Sequence, residues 1–186
     1  TKTSVEPTGM ERRVPRRKPA GSTVRMASVL AIPEILRSLG ANPAEVVGEL
    51  GYDLTLFDDA ERRISYAIRN RLLSHCAVRS GCPHFGLLIG QRNGLHTFGL
   101  LGLLMKHAPN VQMALGSLVR HAHLHVQGAS ISLAVEGNAA VLTWQVHEPG
   151  MEGVDHIGDG TLATLYNIMH ELCGTDWRPT EVWFAH

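Results

Sequence analysis

Of the patterns in this chain, the three histidines in the segment Arg120–His125 have the spacing that best suits a binding or metal site. On a helix, His121 and His125 stand four positions apart and share a face, which is the spacing that two metal ligands require. His123 points to the polar side, and no carboxylate falls on the shared face as a third ligand. Three interpretations stay open: the pair borders the apolar stripe of the helix, contacts a small molecule, or binds a metal ion. Because a third ligand is missing, we predict no metal site.

Motifs of other catalytic classes are absent from the sequence. No glycine-rich loop has the spacing that cradles phosphates, and Ser117 lacks the second glycine and the preceding strand of a nucleophile elbow. His170 and Glu171 begin a helical zinc motif, but Gly174 stands where its second histidine belongs. The sequence therefore predicts a protein that is not an enzyme and carries no cofactor.

The balanced charge of the chain conceals two unlike parts. The 186 residues carry 17 Lys and Arg against 17 Asp and Glu, yet the first twenty hold six basic and two acidic side chains. They also hold three prolines and few large apolar residues, so residues 1–22 are predicted to be a flexible basic tail. The part from residue 23 to 186 is mildly acidic and predicts one domain with its own core.

Compartment signals are simple. Three cysteines without CxxC spacing favour a reducing environment, and no apolar run approaches the ~20 residues of a membrane helix. The start has no signal-peptide pattern, so a cytoplasmic location is predicted. Because the chain begins with Thr1 and ends abruptly after Trp183 and Phe184, we expect the natural protein to extend beyond both ends.

Helical periodicity dominates the first two thirds of the chain and then changes to strand periodicity. Apolar spacing and capping residues predict helices from Pro43 to Gly51 and over 65–81, 83–91 and 111–126. A helical pattern also covers 27–39, where Pro33 predicts that the helix either starts or bends. Apolar and polar residues then alternate on both sides of Gly137 and Asn138. This turn predicts a hairpin that places Ile131 opposite Trp144 and Leu133 opposite Leu142.

The predicted fold class is α+β. A helical N-terminal part packs on a small sheet, which is built from the hairpin (about 129–147), a crossover helix (about 156–173) and a final strand (about 180–186). On the crossover helix, Tyr166 is predicted to point inward and its neighbour Asn167 outward.

Several segments, in order, resemble one family. They are Ile64–Ala67, Pro83–Arg92, Leu100–Pro109 and Cys173–His186. Together they make residues 23–186 similar to the amino-terminal, ligand-sensing domain of AraC-type transcription regulators, in the arabinose-binding-like subgroup. Members of this family respond to varied small molecules, so arabinose does not transfer to this chain.

The resemblance implies a sensor and oligomerisation module. It predicts a small-molecule effector, a homodimer, and contact with promoter DNA through a C-terminal helix-turn-helix domain that this chain lacks. No segment of residues 23–186 resembles a basic recognition helix, so we expect neither DNA nor membrane binding by this part itself.

We expect the effector to bind between the helical part and the inner face of the hairpin. The candidate lining residues are His121, His125, Trp144 and Tyr166, since each is an amphipathic side chain that the pattern turns toward the apolar interior. Two other interpretations stay open, namely a small stand-alone enzyme that uses histidines or a metal, and a dimerisation domain without a ligand.

Overall fold

The structure, a computed structural model, describes residues 21–147 and 153–185. The helices of this part are α1 (Ile32–Ser38), α2 (Pro43–Gly48), α3 (Tyr66–Ser80), α4 (Phe85–Gln91), α5 (Leu100–Lys106), α6 (Val111–His125) and α7 (Val154–Cys173). Its strands are β1 (Thr23–Arg25), β2 (Arg63–Ser65), β3 (Ala129–Glu136) and β4 (Ala139–Val146). Short 3-10 turns span Met26–Val29, Leu54–Phe57 and Leu95–Phe98. The predicted α+β fold class is confirmed.

The β3–β4 hairpin forms in the predicted register. Ile131 lies opposite Trp144 and Leu133 opposite Leu142. Gly137 adopts a φ of +63°, the positive value that a tight hairpin turn favours. Because this register turns the alternate apolar residues to one face, the hairpin packs that face against the helices.

Capping residues explain where the longer helices begin and end. Ser65 accepts a hydrogen bond from the backbone N–H of Ile68 at the start of α3, and Asn110 accepts one from Met113 at the start of α6. Gly81 ends α3 in the left-handed conformation that glycine adopts most readily. These two helices lie close to their predicted bounds.

The predicted helix over 27–39 is divided in the structure. The 3-10 turn Met26–Val29 comes first, and α1 follows with Pro33 in its first turn. Proline is tolerated there because the backbone N–H that it lacks has no helical partner in that turn.

A second, smaller sheet joins β1 to β2. Val24 pairs with Ile64, and Val126 at the end of α6 bridges to Val24 from the other side. Each strand has three residues, which is too short to display the alternation by which strands are recognised in a sequence.

The final strand predicted over about 180–186 is wrong for its described residues. Residues 181–185 have no regular secondary structure, and Trp183 is largely exposed. The two sheets of the described residues have two strands each, and neither includes this segment. Val, Trp and Phe favour a strand only when a neighbouring strand and a buried face receive them. His186 lies outside the described residues.

The predicted basic tail also falls mostly outside the described residues, which begin at Gly21. From there the backbone oxygen of Ser22 accepts a hydrogen bond from the N–H of Tyr66 at 3.1 Å, and β1 begins at Thr23.

In the described part of the chain, no helix combines the length and the apolar character that crossing a bilayer requires.

Two apolar clusters form the core, and the hairpin joins them. The first contains buried residues of β1, α1, α2, α3 and α4 and the start of α7, whereas the second contains buried residues of α5, α6 and the later part of α7. Trp144 packs against both clusters. The two clusters therefore meet beneath the hairpin.

The three cysteines are free thiols in unlike surroundings. Cys76 and Cys82 are buried in the first cluster, whereas Cys173 is exposed at the end of α7. Burial raises the pKa of the Cys76 thiol to about 12, because the charged thiolate is disfavoured away from water.

Helices α4 and α7 approach so closely that their backbones touch. A Cβ atom added to Gly86 would overlap the backbone of His156, and one added to Gly90 would overlap the carbonyl oxygen of Gly160. A Cβ atom on Gly160 would lie 2.8 Å from the carbonyl oxygen of Gly86. Only glycine permits this contact, because it has no side chain.

Asn167 holds α7 against the end of α4. Its side-chain amide donates to the carbonyl oxygens of Gly90, Gln91 and Asn93 at 3.3, 3.1 and 2.7 Å. These carbonyls lie at and just after the end of α4, where the regular series of helical hydrogen bonds stops, so the amide adds bonds that this segment cannot complete by itself. The prediction that Asn167 faces outward and Tyr166 inward is therefore wrong, since Tyr166 is the exposed member of the pair.

Gly90→Ala is expected to lower the free energy of unfolding by about 1–3 kcal/mol, because the new methyl group overlaps the backbone of α7. Gly158→Ala is the matched control: Gly158 lies on α7 with open space around its Cβ position. Better helix propensity should make this control neutral or stabilise it by up to about 1 kcal/mol. Urea unfolding measures both, and equal midpoints for the two variants would contradict the backbone contact.

Candidate functional site

A partly enclosed cavity lies where the two core clusters and the hairpin meet. The Met26–Val29 turn, α3 and α4 line one side, α7 lines another, and Ile131 and Trp144 line it from the hairpin. Its interior offers about 80 Å³ to the centres of water molecules, which is more than one ordered water requires. The space suits a small molecule.

The wall of the cavity combines apolar and polar side chains. The larger apolar ones are Val29, Leu73, Ile89, Phe98, Ile131, Trp144, Ile157 and Leu165. Side chains that donate or accept hydrogen bonds include Arg69, Asn93, Thr97, His125, His156, Thr161 and Thr164. An apolar wall with a few polar groups is the usual composition of a ligand site.

Arg69 is the most unusual residue of this wall. It extends from α3, is 7% exposed, and carries its guanidinium over the ring of Tyr66 at 4.2 Å from the ring centre. Burial lowers the pKa of Arg69, although an arginine keeps its proton at neutral pH. Its Nε and Nη2 atoms have no hydrogen-bond partner among the described residues. A buried cation with two unused donors is ready to bind an acceptor.

His125 lies at the last position of α6 and is also 7% exposed. Its ring centre is 4.4 Å from that of Phe98, and its Nδ1 atom has no hydrogen-bond partner in the described part of the chain. Burial, followed by the charges of Arg25, Arg69 and Arg63, lowers the pKa of His125 to about 3. The imidazole is therefore neutral at physiological pH and offers one donor and one acceptor.

Two further arginines lie near His125, and both are satisfied. Arg25 donates from Nη1 to the carbonyl oxygen of Thr97 at 2.9 Å and pairs with the carboxylate of Glu61 through Nε and Nη2. Arg63 donates to Thr23 and to the carbonyl oxygen of Leu124 at 2.8 Å. These contacts hold the strands and the end of α6 together.

The structure brings two of the four predicted ligand-binding residues to this cavity. His125 and Trp144 line it. His121 does not, because its Nδ1 atom lies 3.0 Å from the carbonyl oxygen of Ser117, one turn earlier on α6. Tyr166 is also elsewhere, on the outer side of α7, where it stacks on His170 at 4.2 Å between ring centres.

Sequence reasoning missed Arg69, because a charged residue in a helical segment is normally assigned to the solvent side. The buried face of α3 includes Arg69 and Asn70 beside apolar residues such as Leu72. A signal was present in the spacing of Tyr66 and Arg69, which stand three positions apart and therefore stack.

The histidines do not assemble a metal site in the part of the chain that the structure describes. No group of three or more His, Cys, Asp or Glu side chains comes together there with the proximity that a metal ion requires. The polar chemistry of the cavity is therefore that of hydrogen bonding and of the Arg69 charge.

The buried neutral state of His125 predicts a pH dependence of stability. Between pH 6.5 and about 3 the unfolded chain binds a proton at this residue that the folded chain does not, so stability falls as the pH falls through this window. From pH 7 to pH 4 the free energy of unfolding should decrease by up to about 3 kcal/mol more in the original chain than in His125→Gln.

Urea unfolding at a series of pH values measures this difference. His123→Gln is the control, because His123 lies on the same helix with an exposed side chain; it should retain the full dependence on pH. Parallel curves for the original chain and His125→Gln would contradict the buried neutral imidazole.

Comparison with known proteins shows which family and which relatives this chain resembles. Residues 40–186 match the family described as the arabinose-binding domain of AraC transcription regulator, N-term. The HTH-type transcriptional regulator VirS of Mycobacterium tuberculosis (strain CDC 1551 / Oshkosh) is 24% identical over 170 residues, which are 89% of this chain and 49% of that protein. VirS of strain H37Rv has the same identity and coverage.

The Ornithine utilization regulator of Pseudomonas aeruginosa is 24% identical over 131 residues, which are 70% of this chain and 39% of that protein. The chain thus spans about half the length, or less, of the curated relatives it matches. The family and these relatives are transcription regulators rather than enzymes. The chain belongs to the family of arabinose-binding, amino-terminal domains of AraC transcription regulators.

Proposed function

We propose that this chain is the effector-sensing and dimerisation domain of an AraC-type regulator, which controls transcription through a helix-turn-helix domain on its C-terminal side. The family supports the sensing role, and VirS is named as an HTH-type transcriptional regulator. Because the chain matches only 49% of VirS, that relative has room for a DNA-binding domain outside the matched part. Promoter DNA is the partner of that domain, and the cytoplasm is the compartment in which such a regulator acts.

The observation that carries the sensing role is the cavity with its buried, unused hydrogen-bonding atoms. Arg69 and His125 project into it from two different helices, and α7 lines a further side. A molecule bound there contacts α3, α6, α7 and the hairpin at once. It therefore stabilises the one arrangement of these elements that it fits, and a population shift of this kind is how a sensor domain transmits its state.

Filling the cavity should abolish effector binding. Thr161→Met places a longer side chain in the cavity from α7, whereas Thr143→Met changes an exposed residue on the hairpin. A metabolite that binds the native cavity raises the midpoint of thermal unfolding, and the stabilisation grows with the logarithm of its concentration once this exceeds Kd. We expect such a shift in the original chain and in Thr143→Met, and its loss in Thr161→Met. A library of metabolites that shifts none of the three proteins would contradict the sensing role.

Exposed leucines on α5 support the dimerisation role. Leu100 is 81% exposed, and Leu103 and Leu104 each expose about half of their surface. Three apolar side chains on one short helix form a patch of the kind that protein contacts cover. We assign this patch to the contact between two copies of the chain.

Leu103→Lys is expected to weaken self-association at least about tenfold, because the charge must leave water when the patch is covered. Val135→Lys is the control, since Val135 is an exposed apolar residue on the hairpin, away from α5. Sedimentation velocity over a range of protein concentrations measures the dimer fraction. Association that is equal in the two variants would show that α5 is not the contact.

A further inference from the structure

We propose that the effector is a small organic acid whose carboxylate binds the side of the Arg69 guanidinium that carries Nε and Nη2. This inference rests on the proposed function, because it takes the cavity as the effector site. It adds the chemical class of the ligand and the residue that recognises it.

The two unused donors of Arg69 form a matched pair. Nε and Nη2 lie on one side of a guanidinium with their N–H groups parallel, so they fit the two oxygens of a single carboxylate. Arg25 of the same domain provides an internal example, because it binds the two carboxylate oxygens of Glu61 through its own Nε and Nη2 atoms. At Arg69, which lines the cavity, no acceptor among the described residues occupies the corresponding position.

The charges around the cavity favour an anion. Burial, followed by the positive charges of Arg25, Arg69 and Arg63, disfavours protonation of His125, which lines the cavity. Among the ion pairs of the described residues, Glu61 balances Arg25, whereas Arg63 and Arg69 are paired with no carboxylate. Arg63 satisfies its donors with oxygens of Thr23 and Leu124, which carry no charge. A buried guanidinium without a counter-ion destabilises the empty domain, and a carboxylate ligand removes that penalty.

The rest of the wall distinguishes an organic acid from an inorganic anion. Leu73, Ile131, Trp144 and Ile157 present apolar surface to the same space. Inorganic phosphate would leave this surface without a partner, whereas the hydrocarbon part of a short organic acid covers it. The neutral His125 ring adds a second hydrogen-bonding group beside the charge.

The test compares acids with their neutral isosteres. Thermal unfolding of the chain is followed with propionate or butyrate, with propionamide or butyramide, and with inorganic phosphate, at equal concentrations and constant ionic strength. The acids are expected to raise the unfolding midpoint by at least about 2 °C at tens of millimolar, and the amides and phosphate by less than half as much.

Two variants of α3 assign the effect to Arg69. Arg69→Met should lose the difference between acid and amide, whereas Arg71→Met, which removes an exposed arginine of the same helix, should keep it. Without any ligand, Arg69→Met should unfold at the same or a higher temperature than the original chain, because an unpaired buried charge is gone. This second measurement shows that the variant is folded.

Each alternative result has a separate meaning. Equal shifts by acid and amide that Thr161→Met abolishes would overturn the acid assignment and leave the sensing role intact. An acid shift that survives in Arg69→Met would overturn the role of Arg69, and a larger shift by phosphate would overturn the organic acid. A chain that no member of this set stabilises would overturn the acid assignment; the metabolite library described above separately decides the sensing role.

Discussion

The backbones of α4 and α7 touch at Gly86, Gly90 and Gly160, and the cavity takes its shape from this contact. The three glycines themselves bring the helices together, while Ile89 of α4 and neighbouring residues of α7 turn toward the cavity. A helix pair separated by ordinary side chains would move α7 outward by several ångströms. The space beneath the hairpin would then open to solvent, and Arg69 would no longer be buried.

The remaining contacts of α7 secure this approach along its length. Asn167 binds three carbonyls at the end of α4, and one turn further Glu171 accepts a hydrogen bond from the backbone N–H of Leu95 at 2.9 Å. Both are polar side chains that satisfy backbone groups at helix or turn ends. Polar contacts to main-chain atoms fix position more strictly than apolar packing does, because they depend on direction. The wall that α7 contributes is accordingly well defined.

Local patterns account for what could be predicted from the sequence, and tertiary contacts account for what could not. The hairpin register followed from strict alternation and a two-residue turn, both of which are properties of neighbouring residues. The burial of Arg69 depends on α7 and the hairpin, which come from distant parts of the chain. The orientation of Tyr166 was misjudged because α7 packs on α4 through Gly160, and Asn167 lies on the same face two turns later. The segment at 181–185 has strand-forming residues without a strand to join.

The predicted ligand-binding residues likewise agree with the structure in part: two line the cavity and two do not. The prediction for His125 came from its place at the border of an apolar stripe and that for Trp144 from the buried face of the hairpin, and both residues line the cavity. His121 shares the helical face of His125 but lies one turn away, where its ring bonds to its own helix instead. The four-residue spacing therefore placed both histidines on one face of α6, but of the two only His125 lines the cavity.

The placement of the cysteines gives the domain one natural site for a fluorescent label. Cys76 and Cys82 are enclosed by the first apolar cluster, whereas Cys173 is exposed at the end of α7. A thiol-reactive fluorophore should therefore attach at one position of the folded chain, since labelling requires an accessible thiolate. That position lies just after Asn167 and Glu171, the residues that fasten α7 to its neighbours. Fluorescence from a label there would follow displacements of the helix that lines the cavity, without any engineered residue.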